Sequence, residues 1–337
     1  MIGKVHFGDC RNSLRRMAAD GIKVQMCVTS PPYFGLRDYG HEGQIGLEET
    51  PEKFIAELVE VFRCVRDVLV DNGTLWLNIG DSYAGGGGGN YSKGTRNTSG
   101  QNITNVRNRG EWLDSAGLKP KDLIGIPWML AFALRADGWY LRQEIIWHKP
   151  NPMPESVTDR CTKAHEQVFL LSKSPRYFYD HVAVKEPVAT STIERLAQSG
   201  LADQVGSTRV PGKTNGNMKA VGGSETRNRR SVWTVATKPY KGAHFAVFPS
   251  ELIEPCILAG SKAGDAVLDP FIGSGTTAAV AIAHGRQFIG CELNEDYKHL
   301  QDQRIAEARA ALAEDDEVRN RDTAQLKLFA TQESDPS

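Results

Sequence analysis

No stretch of about 18 consecutive apolar residues occurs in this chain, so no membrane-spanning helix is expected. The opening MIGKVHFGDC lacks the basic-then-apolar order of a signal peptide, which predicts a cytoplasmic location. Cysteine is sparse. Cys10, Cys27, Cys64, Cys161, Cys256 and Cys291 show no C-x-x-C spacing, which points to reduced, packed thiols. Histidines at metal-ligand spacing are missing too. His148 and His165 lie too far apart in the chain for a local site, and no metal is expected. No internal repeat is visible. Net charge is nearly absent at −1, which by itself speaks against a nucleic-acid partner.

The distribution of charge reverses that last exclusion. Residues 185–241 hold ten Lys/Arg against four Asp/Glu, whereas residues 307–337 hold four against eight. A basic segment and an acidic tail cancel in the total, and the basic segment suits a face that meets phosphates.

Apolar spacing predicts alternating strands and helices. Strands are expected at 4–7, 24–28, 74–79, 140–147, 168–172, 265–269 and 287–292. Helices are expected at 12–17, 51–70, 122–136, 249–258, 276–284 and 296–312, with Asp71-Asn72-Gly73 stopping the second. Residues 85–117 are glycine-rich and then polar, which predicts a mobile loop. Arg96, Arg107 and Arg109 make that loop a candidate for ordering on DNA. Residues 185–243 lack sustained periodicity and read as an insertion. The alternation implies an α/β protein with a parallel-rich sheet and ligands at the strands' carboxyl ends.

Two stretches carry chemistry. TSPPYFG, residues 29–35, follows an apolar strand. Its prolines fix φ, remove donors and push the preceding residues out of the helical region, so a hydroxyl, a carbonyl and an aromatic ring are held at a rigid corner. DPFIGSGTT, residues 269–277, takes a strand through a glycine turn into a helix. That turn lacks both the G-x-G-x-x-G spacing and a Walker-type lysine. Glu292 ends the next strand, where a carboxylate can accept two ribose hydroxyls, so the site suits an adenosine ligand without a pyrophosphate.

Together these stretches resemble the β-group DNA amino-methyltransferases that use S-adenosyl-L-methionine, over roughly residues 4–305. Ser30-Pro31-Pro32-Tyr33 matches their Asp/Ser-Pro-Pro-Tyr/Phe tetrapeptide, and Phe271 to Gly275 matches Phe-x-Gly-x-Gly. The chain order of catalytic motif, basic insertion and cofactor motif is the β-group order. Further matches lie at Gly8-Asp9-Cys10, at 119–128 and at 244–252. The resemblance implies a Rossmann-like methyltransferase fold, with a mostly parallel central sheet, helices on both faces and a small target-recognition insertion. It implies a catalytic part at 1–184 with a mobile loop at 84–118, a recognition region at 185–243, a cofactor part at 244–313 and a flexible acidic tail at 314–337. The implied partners are double-stranded DNA with a short specific site and a second copy of the chain.

Family roles carry over residue by residue. Ser30 and the Pro31 carbonyl would accept the two amino hydrogens of the target base, Pro32 would stiffen the corner, and Tyr33 would stack on the base. Asp9 and Cys10 would lie at the cofactor adenine, with Ser30 bordering the cofactor as well. Asp269, Phe271, Gly273, Ser274, Gly275, Thr276 and Thr277 would surround the methionine part, Glu292 would hold the ribose, and His244 would border the carboxylate. Lys149, within the proline-stiffened WHKPNP, would sit near the base or the phosphates. Arg227, Asn228, Arg229 and Arg230, with Trp233, form the densest basic cluster and are expected on DNA. Pro255-Cys256, the one Pro-Cys pair, is expected to pack rather than attack.

The base is left open between two amines. A serine at the first position leans toward cytosine N4 across the wider family. The longer TSPPYFGLRDYG resembles solitary methylases among which adenine enzymes occur, and on that ground adenine N6 is placed slightly ahead. A catalytically idle DNA-binding sensor of an adenosine ligand is the alternative from another class. RNA or protein methylation by the same amine logic is a third reading, which the basic insertion disfavours.

Overall fold

The strand-and-helix alternation follows from where apolar residues recur, and from how each helix end is satisfied. The computed structural model describes all residues except 37, 39, 42, 85–116, 198–224, 238–247 and 333–337. β1 (Lys4–Phe7) leads to α1 (Cys10–Ala19), whose first turn is capped by Asp9 accepting from the Arg11 amide at 2.8 Å. β2 (Val24–Thr29) follows. α2 (Pro51–Val68) opens on Thr50, which accepts from the Lys53 amide at 3.2 Å, with Pro51 where its missing donor does no harm. On α2, Phe54, Leu58, Val61, Phe62 and Val65 recur on one buried face. Each contributes about 1.5–3 kcal/mol by leaving water.

β3 (Leu69–Ile79) corrects the predicted stop at Asp71-Asn72-Gly73. Those residues lie inside the strand, in a bulge: Val24 of β2 faces Leu69, and Met26 already faces Thr74. Leu69 is fully buried, and a Cβ on Gly73 would come within 3.0 Å of the Gln25 carbonyl. Burial of Leu69 starts the strand early, and glycine lets the surplus residues loop out. α3 (Ile126–Ala136) begins later than predicted because Asp81, just past β3, caps it from outside, accepting from the amides of Gly125 at 2.9 Å and Ile126 at 3.1 Å.

The remaining elements are β4 (Tyr140–His148), β5 (His165–Ser172), β6 (Glu186–Pro187), α4 (Thr190–Leu196), β7 (Thr226–Arg227), β8 (Val232–Thr234) and α5 (Ser250–Gly260). After them come β9 (Ala266–Asp269), α6 (Thr276–Ala283), β10 (Gln287–Glu292) and α7 (Lys298–Gln332). Eight strands form one sheet in the order β1-β10-β9-β2-β3-β5-β4-β8. β5 alone runs against both of its neighbours, and every other pairing is parallel. α1, α2 and α3 cover one face over Leu14, Phe62, Leu77 and Leu130, while α5 and α6 cover the other over Met26, Trp76, Ile253 and Ala281. The mostly parallel sheet with helices on both faces is the one expected.

Two boundaries differ from the sequence reading. β8 pairs with β4 in the main sheet, so residues 232–234 belong to the core and not to the insertion; β6 and β7 form a separate two-stranded sheet. α7 runs on to Gln332 instead of ending at 312, because residues 298–332 contain neither glycine nor proline and are rich in Ala, Leu, Arg, Gln and Glu. The glycine-rich loop of 84–118 falls almost wholly outside the described residues. Among the described residues, no helix is long and apolar enough to cross a membrane.

Candidate active site

The parallel strands end at one rim, and the antiparallel β5 starts there. Beneath that rim lies a cavity of about 960 Å³. Asp9, Cys10, Ser30, Pro31, Pro32, Tyr33, Lys149, Phe271, Gly273 and Glu292 all line it. Residues 240 apart in sequence thus meet in one space because β2 and β9 are neighbours in the sheet.

The two motifs are joined by a buried carboxylate. Asp269, 1% exposed, accepts from the Thr29 hydroxyl at 2.6 Å, the Thr277 hydroxyl at 2.6 Å and the Phe271 amide at 3.0 Å. Burial pushes this acid up to about 6, against the lowering effect of those three bonds. Asp269, Ser274, Gly275, Thr276 and Thr277, expected around the methionine part of the cofactor, do not line the cavity. Ser274 and Thr276 both bond Arg304, and Gly275 sits at φ +89° against Gln301. They form the scaffold under the turn, while Phe271 and Gly273 present its surface.

Glu292 is raised by burial, and each of its oxygens accepts one backbone amide, Gly273 at 2.9 Å and Asn294 at 2.9 Å. A carboxylate has about four acceptor positions, so both oxygens keep capacity for a diol. Asp9 is raised by burial, but bonds from Arg11 outweigh this and hold it below the usual carboxylate range; Arg11 also reaches Glu57. Cys10 is buried and its thiol is pushed up to about 12 by burial and by Asp9. It is therefore a neutral wall at neutral pH. A carboxylate with spare acceptor positions, a glycine surface, an aromatic ring and an anionic end wall around one roomy cavity fit S-adenosyl-L-methionine. His244 lies outside the described residues.

Tyr33 stands upright in the wall. Its ring lies against Gly80, where a Cβ would fall 2.6 Å from Tyr33 Cε2, and its hydroxyl donates to Glu166 Oε2 at 2.7 Å. Gly80→Ala will push that ring out of place. Methyl transfer is expected to fall about 10²-fold, the scale for a misplacement of order 1 Å. Initial rates of labelled methyl incorporation check this, with cofactor affinity unchanged; full turnover would show that the ring position is not critical.

Asn78, Asp81, Lys163, His165 and Glu166 also line the cavity and were not singled out from sequence. The one available signal was position: Asn78 and Asp81 stand at the carboxyl end of an apolar strand, as Asp9 and Glu292 do. Glu166 sits where β5 begins, and only the reversal of β5 brings it to this rim. Lys149 does not project freely as a phosphate contact would. It is 19% exposed, bonds Glu166 Oε1 at 2.5 Å and stacks over Trp147 at 4.3 Å. His148 and His165 face each other across β4 and β5 despite their separation in sequence. Among the described residues, no group of three or more His, Cys, Asp or Glu could hold a metal ion.

The basic cluster is distributed differently from the expectation. Arg227 and Arg230 both bond Glu186, at 2.9 and 2.7 Å. Arg229 lies over the Trp233 ring at 4.8 Å and, with Asn228, lines a second cavity of about 310 Å³. Trp233, expected on DNA, is instead core: it is 6% exposed and stacks on Trp76 at 6.5 Å between centroids. Cys256 is buried in α5 with its thiol raised by burial, which agrees with packing.

Comparison with known proteins adds to this geometry. The N6/N4 DNA methylase family profile matches residues 24–303. The type II methyltransferase M.SmaI of Serratia marcescens is 45% identical over 91% of this chain and 91% of its own length. M.Cfr9I of Citrobacter freundii, also a type II methyltransferase, is 47% identical over 86% of this chain and 83% of its own. Among solved structures, a DNA modification methylase of Thermus thermophilus, complexed with S-adenosyl-L-methionine, aligns over 90% of this chain and 93% of its own with a TM-score of 0.53 and 24% identity. The cytosine-N4-specific PvuII DNA methyltransferase aligns over 93% of each chain with a TM-score of 0.56 and 16% identity. Both likenesses speak to fold alone. The chain belongs to the N6/N4 family of DNA methylases, which use S-adenosyl-L-methionine as methyl donor.

Proposed function

We propose that the chain methylates N4 of cytosine, flipped out of a short specific site in duplex DNA. The observation that carries the site assignment is the single cavity in which Ser30-Pro31-Pro32-Tyr33 and the Phe271–Gly273 turn meet, with Glu292 at its cofactor end. An exocyclic amine delocalises its lone pair into the ring and is a poor nucleophile. The Pro31 carbonyl and the Ser30 hydroxyl accept its two hydrogens and draw the nitrogen toward tetrahedral geometry. The cofactor, when bound, supplies an electrophilic sulfonium methyl. Positioning and fixed dipoles then account for most of the rate, and no covalent enzyme intermediate is needed. Base flipping is required because the amine is out of reach inside a duplex.

Cytosine replaces the sequence-based preference for adenine because that preference rested on a likeness to solitary methylases, whereas the relatives matched over most of the chain are named type II methyltransferases; the serine spelling, which leans toward cytosine N4, then decides. Mass spectrometry of nucleosides from DNA methylated by the pure chain decides the matter. N4-methylcytosine is expected. N6-methyladenine alone would overturn the choice of base, and no methylated nucleoside on any DNA would support the idle sensor.

A further inference from the structure

The second cavity, of about 310 Å³, lies apart from the active site. Its apolar floor is Leu170 and Val184, on the face of the sheet that α5 and α6 cover. Arg142, in its wall, stands five residues before Trp147, which lines the active cavity. Along β4 the two spaces are therefore roughly 16 Å apart. Two arginines, a histidine, an asparagine, a glutamine and two tyrosines face the second cavity, and among the described residues no Asp or Glu does.

Both guanidiniums are held in place without being neutralised. Glu186 is spent on Arg227 and Arg230, which flank Arg229 in sequence. Arg229 lies over the Trp233 ring at 4.8 Å, and its Nε is buried with no hydrogen-bond partner. Folded proteins seldom leave a buried donor unpaired, so such a group calls for an acceptor from outside. Arg142 lies over the Tyr177 ring at 5.5 Å, and its Nε donates to the Tyr177 hydroxyl at 3.3 Å. That bond uses the oxygen of Tyr177 and leaves its hydrogen for another acceptor. Asp180, the acid between Tyr179 and His181, accepts instead from the Val182 and Ala183 amides, each at 3.0 Å. Among the described residues, neither Arg142 nor Arg229 has a carboxylate partner.

We propose that this cavity takes one phosphate of the DNA backbone, away from the methylated base. The inference rests on the family's DNA substrate and not on which base is methylated. The arginines and the Tyr177 hydroxyl hydrogen are donors, and a phosphodiester offers acceptors alone. A planar guanidinium can meet two phosphate oxygens at once. DNA is favoured over an acidic protein segment by two observations. Asn228 and Arg229 belong to the basic stretch at 185–241. The cavity also lies within about five base-pair steps of the active cavity, at about 3.4 Å per step. Residues 227–230 then divide their work: Arg227 and Arg230 tie the segment to Glu186, and Arg229 serves the ligand. A backbone contact reads no sequence, but it fixes where the duplex lies relative to the site that receives the flipped base.

Equilibrium binding of the full chain to a mixed-sequence duplex, at several salt concentrations, tests the proposal. The double variant Arg142→Gln, Arg229→Gln is expected to bind about tenfold more weakly at low salt. Its slope of log affinity against log salt should be shallower by about 0.9, the share of one phosphate. Arg142→Lys keeps the charge and should keep the slope. Unchanged affinity for S-adenosyl-L-methionine reports an intact fold. An unchanged slope in the double variant overturns the proposal. A loss near twice that size also overturns it, because the arginines would then meet separate phosphates. If Arg229→Gln does not fold, Arg142→Gln decides alone, and a slope equal to that of the wild type sinks the idea. Thermal melts with added inorganic phosphate separate the source of the anion. Stabilisation of the wild type and not of the double variant, with equal DNA slopes, would make this a site for free phosphate and refute the DNA assignment. A wild type that binds no DNA would refute the methyltransferase reading beneath it.

Discussion

Ser30→Ala loses methyl transfer by about 10²- to 10³-fold, the scale for removing one pre-organised group aimed at the reacting atoms. The alanine side chain leaves the Pro31 carbonyl as the sole acceptor for two amino hydrogens. The nitrogen then stays planar and conjugated. Cofactor affinity is retained, because Asp9, Gly273 and Glu292 hold the other end of the cavity and do not depend on the serine. Single-turnover incorporation of labelled methyl, alongside equilibrium binding of the cofactor, separates the two effects. Full turnover in Ser30→Ala would remove the serine from the chemistry. A parallel loss of cofactor binding would make it a cofactor residue first.

Asp269→Ala unfolds the chain more readily, by about 3 kcal/mol at neutral pH, because three buried donors lose their acceptor at once and each costs about 1–3 kcal/mol against the relief of a buried charge. The pH dependence has a definite sign. In the folded state this acid titrates near 6, above its ordinary 3.8. The folded chain therefore binds the proton more tightly than the unfolded one. The stabilisation this supplies is in full below about pH 4 and is lost as pH rises through about 6. Asp269→Ala should thus destabilise more at pH 4 than at pH 7, the two sides of that window. Denaturant melts at the two pH values measure it; an equal loss at both would show that the carboxyl is not protonated in the fold.

Much of the site was legible because its chemistry is written in contiguous letters. Proline pairs and glycine turns fix backbone locally, so TSPPYFG and DPFIGSGTT could be read without knowing what lies between them. Which residues of a motif face the ligand was not legible. Asp269 and Thr277 look like cofactor contacts in sequence but are spent on each other. Trp233 looks like a DNA contact beside three arginines, yet the pairing of Ile146 with Val232 draws it into the core. Glu166, Asn78 and Lys149 meet only because one strand of eight is reversed, and strand direction leaves no mark in apolar spacing. In the fold, long periodic helices such as α2 were plain, whereas the bulge at residues 70–73 looked like a helix stop because Asp-Asn-Gly is a common turn spelling.

The bridge from Thr29 through Asp269 to Thr277 has a consequence for how the molecule could be divided. The stretch with the proline corner and the stretch with the glycine turn are joined by the Thr29–Asp269 bond and by the β1–β10 and β2–β9 ladders, and not by adjacent covalent chain. Two separately made fragments would carry complementary faces of one buried carboxylate. Their joint activity would rise with the product of their concentrations, and either fragment alone would be silent. The aspartate that cements the intact enzyme would then be the latch of a two-part switch.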